Sequence, residues 1–507
     1  MLRRQAPLRV GRRIVQVLLF GLFLYIIWTT QYPLRGFINP GFLFQLDPLV
    51  MGITALAERL WLPGLLWALA TLAVTFVFGR VFCGWFCPLG TLQDLVARLA
   101  SPWRKNRERE PGRGRFLKYF LLGGLALLAA AGLQLAWLFD PLAVFVRAFS
   151  FNVHPAVNRL VDRAFAVLLQ STDFYAPLAG LYQWLQEHFL DISHPVFPHA
   201  SIILVMLVLL LAAALLRRRF WCRYLCPLGA LLGLVSKFAR LRRVSEACPA
   251  NCAVCRDLCR VNAIRADQST LSAECVMCFD CVADCPGGRS AFTFSGPPRA
   301  RAARDPEAPG RLTRAQFLRW LAGVLGLFTL GARRTAAGTP AVRPVLRPPG
   351  ALPEREFVQR CVRCGNCMKV CLTNVLQPAA WESGAEGVWT PRLATELSYC
   401  EYQCTLCGQV CPTGAIERLR LQEKLRTKMG LAVIDRSLCL PWSTGQECIV
   451  CEEHCPVSHK AIKVERRPNR LGQPVRVPAV DPQLCVGCGI CEVKCPVSPK
   501  AIRVRPL

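Results

Sequence analysis

Cysteine spacing constrains this chain more than any other feature. Six groups of four follow one rule: three cysteines lie close together and a fourth follows the third after three intervening residues. Two groups occupy the middle of the chain, Cys248, Cys252, Cys255, Cys259 and Cys275, Cys278, Cys281, Cys285. Four follow on the C-terminal side: Cys361, Cys364, Cys367, Cys371; Cys400, Cys404, Cys407, Cys411; Cys439, Cys448, Cys451, Cys455; and Cys485, Cys488, Cys491, Cys495. The wide gap of eight residues between Cys439 and Cys448 reads as a loop insertion, not a lost member. Pro follows the last cysteine in four groups, at Pro286, Pro412, Pro456 and Pro496.

This spacing suits a cubane iron–sulfur cluster, because three nearby sulfurs wrap one 4Fe-4S core and the offset fourth reaches the neighbouring cluster. Zinc also uses C-x-x-C pairs, but it takes two pairs and has no use for a third cysteine followed by a fourth before Pro. Disulfide frameworks belong to short, core-poor domains, and a chain of 507 residues is not one. With six His and no C-x-x-C-H string, covalently attached haem has no site. Six 4Fe-4S clusters are therefore predicted, held by 24 of the 28 cysteines. The two middle groups read as one unit that exchanges Cys259 and Cys285 between clusters. For the last four groups, neighbours pair in order or the outer two embrace the inner two, and spacing leaves both open.

Four apolar runs near residues 14–30, 61–82, 116–138 and 200–216 approach the ~20 residues that span a bilayer as helix. Arginine clusters stand at alternating ends: Arg3, Arg4, Arg9, Arg12, Arg13, then Arg104 to Lys118, then Arg217, Arg218, Arg219. The positive-inside rule places these in the cytoplasm and residues 31–60 and 139–199 outside. The same rule accounts for much of the formal charge of +29, so nucleic acid is not the expected partner. Six oxidised clusters at about −2 each would offset a further dozen units or so.

The spans form two parallel repeats, each with an Asp-Pro pair (Asp47-Pro48, Asp140-Pro141) and a C-x-x-x-C-P-L-G string at the cytoplasmic end of its second span. Those strings supply Cys83, Cys87, Cys222 and Cys226, a candidate extra redox or metal site; the plainer reading is small cysteines capping the spans and a Pro-Leu-Gly turn. Asp47 and Asp140 are either buried functional acids or turn openers. His154, His194 and His199 fall in the outer loop, as bases for a quinol headgroup or as solvated side chains.

The expected architecture is an α-helical membrane domain of four spans in two parallel repeats over 1–239, then a two-cluster ferredoxin module over 240–295. A linker, 296–353, carries a fifth, signal-like helix at 317–332, and a four-cluster domain fills 354–507. The modules are expected to be α+β ferredoxin-like.

The first 300 residues resemble the NapH/MauN-type membrane ferredoxins, and residues from about 311 resemble the NapG/MauM-type polyferredoxins, as if two partners were fused. The segment Thr313-Arg314-Ala315-Gln316-Phe317-Leu318-Arg319 departs from a twin-arginine export signal at Ala315. The resemblance implies a quinol dehydrogenase component in a bacterial cytoplasmic membrane, passing electrons from the quinone pool to a periplasmic oxidoreductase or cytochrome. The N-terminus and residues 220–300 would be cytoplasmic and residues 340–507 periplasmic. The competing expectation is a redox-sensing or maturation factor for a partner metalloenzyme.

Overall fold

Both Asp-Pro pairs start helices. The computed structural model describes residues 6–34, 36–100, 114–171, 175–191, 195–198, 200–245, 248, 252–294, 323, 326, 344–468, 472 and 474–507. After α1 (Ala6–Thr29), the first repeat has α2 (Pro48–Glu58), α3 (Leu65–Phe78) and α4 (Pro88–Leu99). Following α5 (Leu117–Ala130), the second has α6 (Pro141–Ala148), α7 (Ala200–Leu216) and α8 (Pro227–Ser236). Asp47 accepts from the Leu49 and Val50 amides and Asp140 from the Ala143 amide, with Pro at the first helical position, where its missing N–H costs nothing. Cys87-Pro88 and Cys226-Pro227 likewise put Pro at the first helical position, with Cys226 Sγ accepting from the Gly229 amide, so Pro-Leu-Gly opens a helix and does not form a turn.

The apolar runs are shorter as helices than as sequence. Among the described residues only α1, over Pro7–Thr29, is both long and apolar enough to cross a bilayer. The other three runs give helices of 14, 14 and 17 residues. Gly79 at φ 76° caps α3, and Gly132 at φ 86° lies two residues beyond the end of α5. Both stand in the left-handed region, where Gly carries no steric penalty and a helix stops. The expected helix over 317–332 lies outside the described residues apart from Gly323 and Gly326.

Two units are distinguished, and the division does not follow chain order. The first comprises Met1–Ile27, Phe42–Phe149 and Ser201–Gly338. Within it α8 packs on α3 and α5, and α2 on the same two helices. The module that follows closes with β1 (Leu241–Ser245) antiparallel to β2 (Ser290–Phe294), over a small core of Ile264, Met277, Phe279, Val282 and Phe292. The N-terminal arginines are partly used here: Arg9 pairs with Asp284, and Arg12 lies 3.6 Å from Asp280.

The second unit gathers Trp28–Gly41, Ser150–Ala200 and Thr339–Leu507. Its sheets are antiparallel pairs: β3 (Leu376–Pro378) with β4 (Pro391–Leu393), β5 (Leu431–Ile434) with β8 (Ile502–Arg505), and β6 (Ile462–Pro468) with β7 (Pro474–Val480). Asn39 donates to the Gln409 carbonyl at 2.7 Å and Asn374 to the Val196 carbonyl at 2.9 Å. The segments around residues 39 and 196 are thus stitched to the cysteine-rich part of the chain.

Candidate iron–sulfur sites

Each C-terminal cysteine group surrounds a cavity, and each cavity borrows one sulfur from its neighbour. Cys361, Cys364 and Cys367 line a space of about 350 Å³ together with Cys411. Cys400, Cys404 and Cys407 line one of about 380 Å³ with Cys371. The third and fourth groups do the same: Cys439, Cys448 and Cys451 meet Cys495 around about 380 Å³, and Cys485, Cys488 and Cys491 meet Cys455 around about 330 Å³. Neighbours therefore pair in order, which settles the choice that spacing left open. The wide gap after Cys439 is filled by a short helix, Leu440–Ser443, whose Trp442 donates to the Pro478 carbonyl at 3.1 Å, and Cys439 keeps its place in the wall.

The donor set fits a cubane better than a single ion. Four sulfurs spread around a space of this size suit a multi-atom core, whereas zinc draws each of its four sulfurs to about 2.3 Å. Burial pushes the Cys400 thiol up to about 12, the Cys439 thiol up to about 11 and the Cys451 thiol up to about 12. Bare, these groups stay protonated; a multiply charged iron core deprotonates a coordinating thiol outright.

The two pairs are joined in the middle. The Cys400 amide donates to the Cys488 carbonyl at 2.8 Å, so the Cys400 and Cys488 cavities adjoin. The four cavities form a series from the Cys361 set through the Cys400 and Cys485 sets to the Cys439 set. Lys424 sits at the central junction, 2% exposed, donating to the Glu401 carbonyl at 2.6 Å and the Tyr402 carbonyl at 2.5 Å. Spacing gave no signal for this lysine, because it lies between groups.

In the first unit the two middle groups lie together: Cys255 and Cys281 share one small core, with Cys255 Sγ 3.4 Å from the Cys281 carbonyl, and Cys259 and Cys275 pack against it. Cys83, Cys87, Cys222 and Cys226 are all buried. Asp47 and Asp140, 0% exposed, cap α2 and α6, and each keeps one buried carboxylate oxygen without a hydrogen-bond partner, Asp47 Oδ2 and Asp140 Oδ1, so the turn-opener and buried-acid readings both describe them.

His154 is not a solvated loop residue. It is 2% exposed, edge-on to the Trp28 ring, with Nδ1 3.4 Å from Lys369 Nζ and 3.6 Å from Asp191. Burial, with the Lys369 charge, pulls it down to about 2, so the imidazole stays neutral and is a poor proton acceptor. His194 and His199 lie outside the described residues.

Cavities with exchanged fourth sulfurs, arranged in series, define a multi-cluster iron–sulfur electron-transfer protein. A family model described as a 4Fe-4S dicluster domain matches residues 360–415, and one described as a 4Fe-4S binding domain matches 60–107 and 199–245. The methylamine utilization ferredoxin-type protein MauM of Methylobacillus flagellatus is 37% identical over 181 residues, 35% of this chain and 74% of that one. The ferredoxin-type protein NapG of Escherichia coli K12 is 38% identical over 164 residues, 32% of this chain and 69% of its own length. The putative electron transport protein YccM of Escherichia coli K12 is 29% identical over 231 residues, 45% of this chain and 54% of that protein. No solved structure matches. The chain belongs to the MauM/NapG family of ferredoxin-type proteins.

Proposed function

We propose that the chain carries electrons from membrane quinol, through the four C-terminal clusters in series, to a periplasmic oxidoreductase or cytochrome. The observation that carries this reading is the series of four cavities together with what packs against its first member. Phe151 abuts Gly365, between Cys364 and Cys367, so closely that a Cβ there would lie 2.5 Å from the ring. Electrons leaving a carrier near residues 150–200 would meet the Cys361 cluster first and the Cys439 cluster last. All 24 cysteines of the six groups are assigned as ligands, each fourth ligand coming from the paired group. The clusters supply one-electron chemistry; the chain fixes their order, excludes water and places the Lys424 charge at the central junction.

In the same reading α1, α3, α5 and α7 cross the membrane, the shorter ones extended by the turns that flank them. Apolar side chains exposed around α7, among them Ile202, Val205, Val208, Leu209 and Leu216, suit contact with lipid and not with water. Residues 28–41 and 150–200, placed outside by charge, share a unit with residues 339–507, which favours a periplasmic four-cluster domain. The ion pairs of Arg9 and Arg12 with Asp284 and Asp280 favour a cytoplasmic two-cluster module beside the N-terminus.

The test is anaerobic stopped-flow mixing of the detergent-solubilised full chain with a reduced quinone. Bleaching of cluster absorbance within turnover times, and re-oxidation by a periplasmic acceptor, is the expected result. Clusters that stay oxidised in excess quinol, or a reporter fused after Leu507 that works only in the cytoplasm, would reject the reading.

A further inference from the structure

A cleft of about 720 Å³ in the first unit has no cysteine in its wall and is about twice the size of each cluster cavity. Charge dominates it. Five arginines line the cleft: Arg9 and Arg13 from α1, Arg98 from α4, Arg218 from just beyond α7, and Arg260 from the two-cluster module. Helical periodicity accounts for part of the convergence, since Arg9 and Arg13 stand one turn apart on one line of α1.

Three carboxylates face these arginines, and all three are already engaged. Asp284 takes Arg9, Asp280 takes Arg260, and Asp94 takes Arg260 together with Arg219, which stands fully buried behind the wall. Arg12, equally buried, lies 3.9 Å from Asp94 and 3.6 Å from Asp280, yet none of its guanidinium nitrogens has a hydrogen-bond partner. The three acids are thus shared among four arginines, and Arg13 and Arg98 form no ion pair among the described residues. Partial burial, with the charges of Arg260 and Arg13, disfavours the charged form of Arg98. Within the wall itself, five arginines against three carboxylates leave an excess of two positive charges.

The flanks of the cleft say what kind of anion fits. Val17 continues the line of Arg9 and Arg13 one turn further along α1 and is 70% exposed. Leu99, next to Arg98, is 69% exposed, and Leu216, the last residue of α7 before the arginines that follow it, is 76% exposed. A small soluble anion gains nothing from such neighbours. A molecule with a negative head and apolar tails uses both.

We propose that this cleft binds the phosphodiester headgroup of an anionic phospholipid of the cytoplasmic leaflet, with the acyl chains lying along α1 and the end of α7. The inference rests on the reading that α1 and α7 cross the membrane, and extends it to one lipid class. Basic pockets between spans on the cytoplasmic side suit such headgroups. Arg13 and Arg98 hold the phosphate oxygens, because their donor forks are not spent on carboxylates. A zwitterionic headgroup brings an ammonium to a site that already has excess positive charge, and is the poorer ligand. Arg260, Asp280 and Asp284 belong to the two-cluster module and Arg9, Arg13 and Arg98 to the helices, so a bound headgroup ties the module to the bilayer.

Native mass spectrometry of the detergent-solubilised full chain, titrated with dioleoylphosphatidylglycerol or dioleoylphosphatidylcholine, tests this. Wild type should retain phosphatidylglycerol as a discrete one-lipid adduct, roughly tenfold more tightly than phosphatidylcholine. The double variant Arg13→Gln with Arg98→Gln should bind phosphatidylglycerol roughly thirtyfold more weakly, and Arg13→Lys with Arg98→Lys should recover most of the loss. Arg163→Gln, at an exposed arginine of the second unit, should match wild type. Equal retention of the two lipids, or equal affinity in wild type and the Gln variant, would overturn the proposal. So would displacement of the lipid by an equal concentration of glycerol 3-phosphate, which would make the cleft a site for a soluble phosphate. Failure of the membrane reading looks different, since the chain would then stay monodisperse without detergent and bind neither lipid. Should the Gln variant not accumulate, the wild-type lipid preference and the glycerol 3-phosphate competition still decide.

Discussion

Replacing Asp94 by Asn should be among the most damaging single changes in the first unit. Asp94 takes Arg219 in a two-pronged pair, Nε to Oδ1 and Nη2 to Oδ2, both 2.8 Å, and Arg260 Nη1 at 2.7 Å. Arg12, fully buried, lies 3.9 Å away. Burial alone would raise the Asp94 carboxyl, but the charge and hydrogen bonds of Arg219, with Arg260 and Arg12, hold it well below the usual carboxylate range. Removing one partner of a buried pair costs roughly 3–5 kcal/mol, because the remaining charge is left uncompensated. At about 2–4 °C per kcal/mol for a domain of this size, the unfolding midpoint should fall by roughly 6–20 °C. The assay is a fixed-rate thermal scan of the full chain in detergent, with Asp94→Glu as the charge-preserving control. The pH profile carries a sign: a depressed carboxyl stabilises fully above its unfolded value of about 3.9, and the contribution fades only as pH falls below it. The gap between wild type and Asp94→Asn should be flat from pH 8 to about 5. A midpoint within about 2 °C of wild type, or a gap that closes near neutral pH, would refute the assignment of Asp94 as the anchor of Arg219.

Three further outcomes are expected. In Cys495→Ser, mild iron release should expose Cys439, Cys448 and Cys451 to alkylation while Cys485, Cys488 and Cys491 stay protected; the reverse pattern would refute the exchanged pairing. Lys424→Met should make the two central clusters harder to reduce: one charge at about 7–10 Å with an effective dielectric near 20 is worth roughly 2 kcal/mol, or about 80 mV for one electron, and unchanged potentials in a redox titration would show that the lysine is only structural. Gly487→Ala should loosen the Cys485 cluster, since Gly487 has φ 73° and its Cβ would lie 2.5 Å from the Gly430 backbone; equal rates of thermal iron loss in variant and wild type would count against that close approach.

The cavities were legible because ligand spacing is itself the physical requirement: sulfurs that must wrap a core of fixed size have to lie near one another in sequence. The pairing of the last four groups was not, since it depends on contacts such as Cys400 to Cys488 that no local spacing encodes. Apolar content indicated where helices lie but overstated their length, because Gly79 and Gly132 look unremarkable in an apolar run until their positive φ is seen. Arginines near the spans suggested a rule about lipid faces, and it concealed a second use. Arg12 and Arg219 are buried counter-charges to Asp94, and nothing in their sequence surroundings separates them from the arginines left at the surface. The partnership of His154 with Lys369 spans 215 positions, and nothing around either residue announces it.

The pairing of β5 with β8 bears on how the protein is made. Leu431 stands opposite Arg505 and Ile434 opposite Ile502, so a strand synthesised before the third cysteine group has no sheet partner until the stretch after the fourth has been translated. In the meantime β5 presents an unpaired edge and its cysteines lack their exchanged partners. The last cluster pair is thus completed late, only once the stretch after the fourth group has been made, and a cell that builds this protein has to shield one open strand and several bare thiols until then.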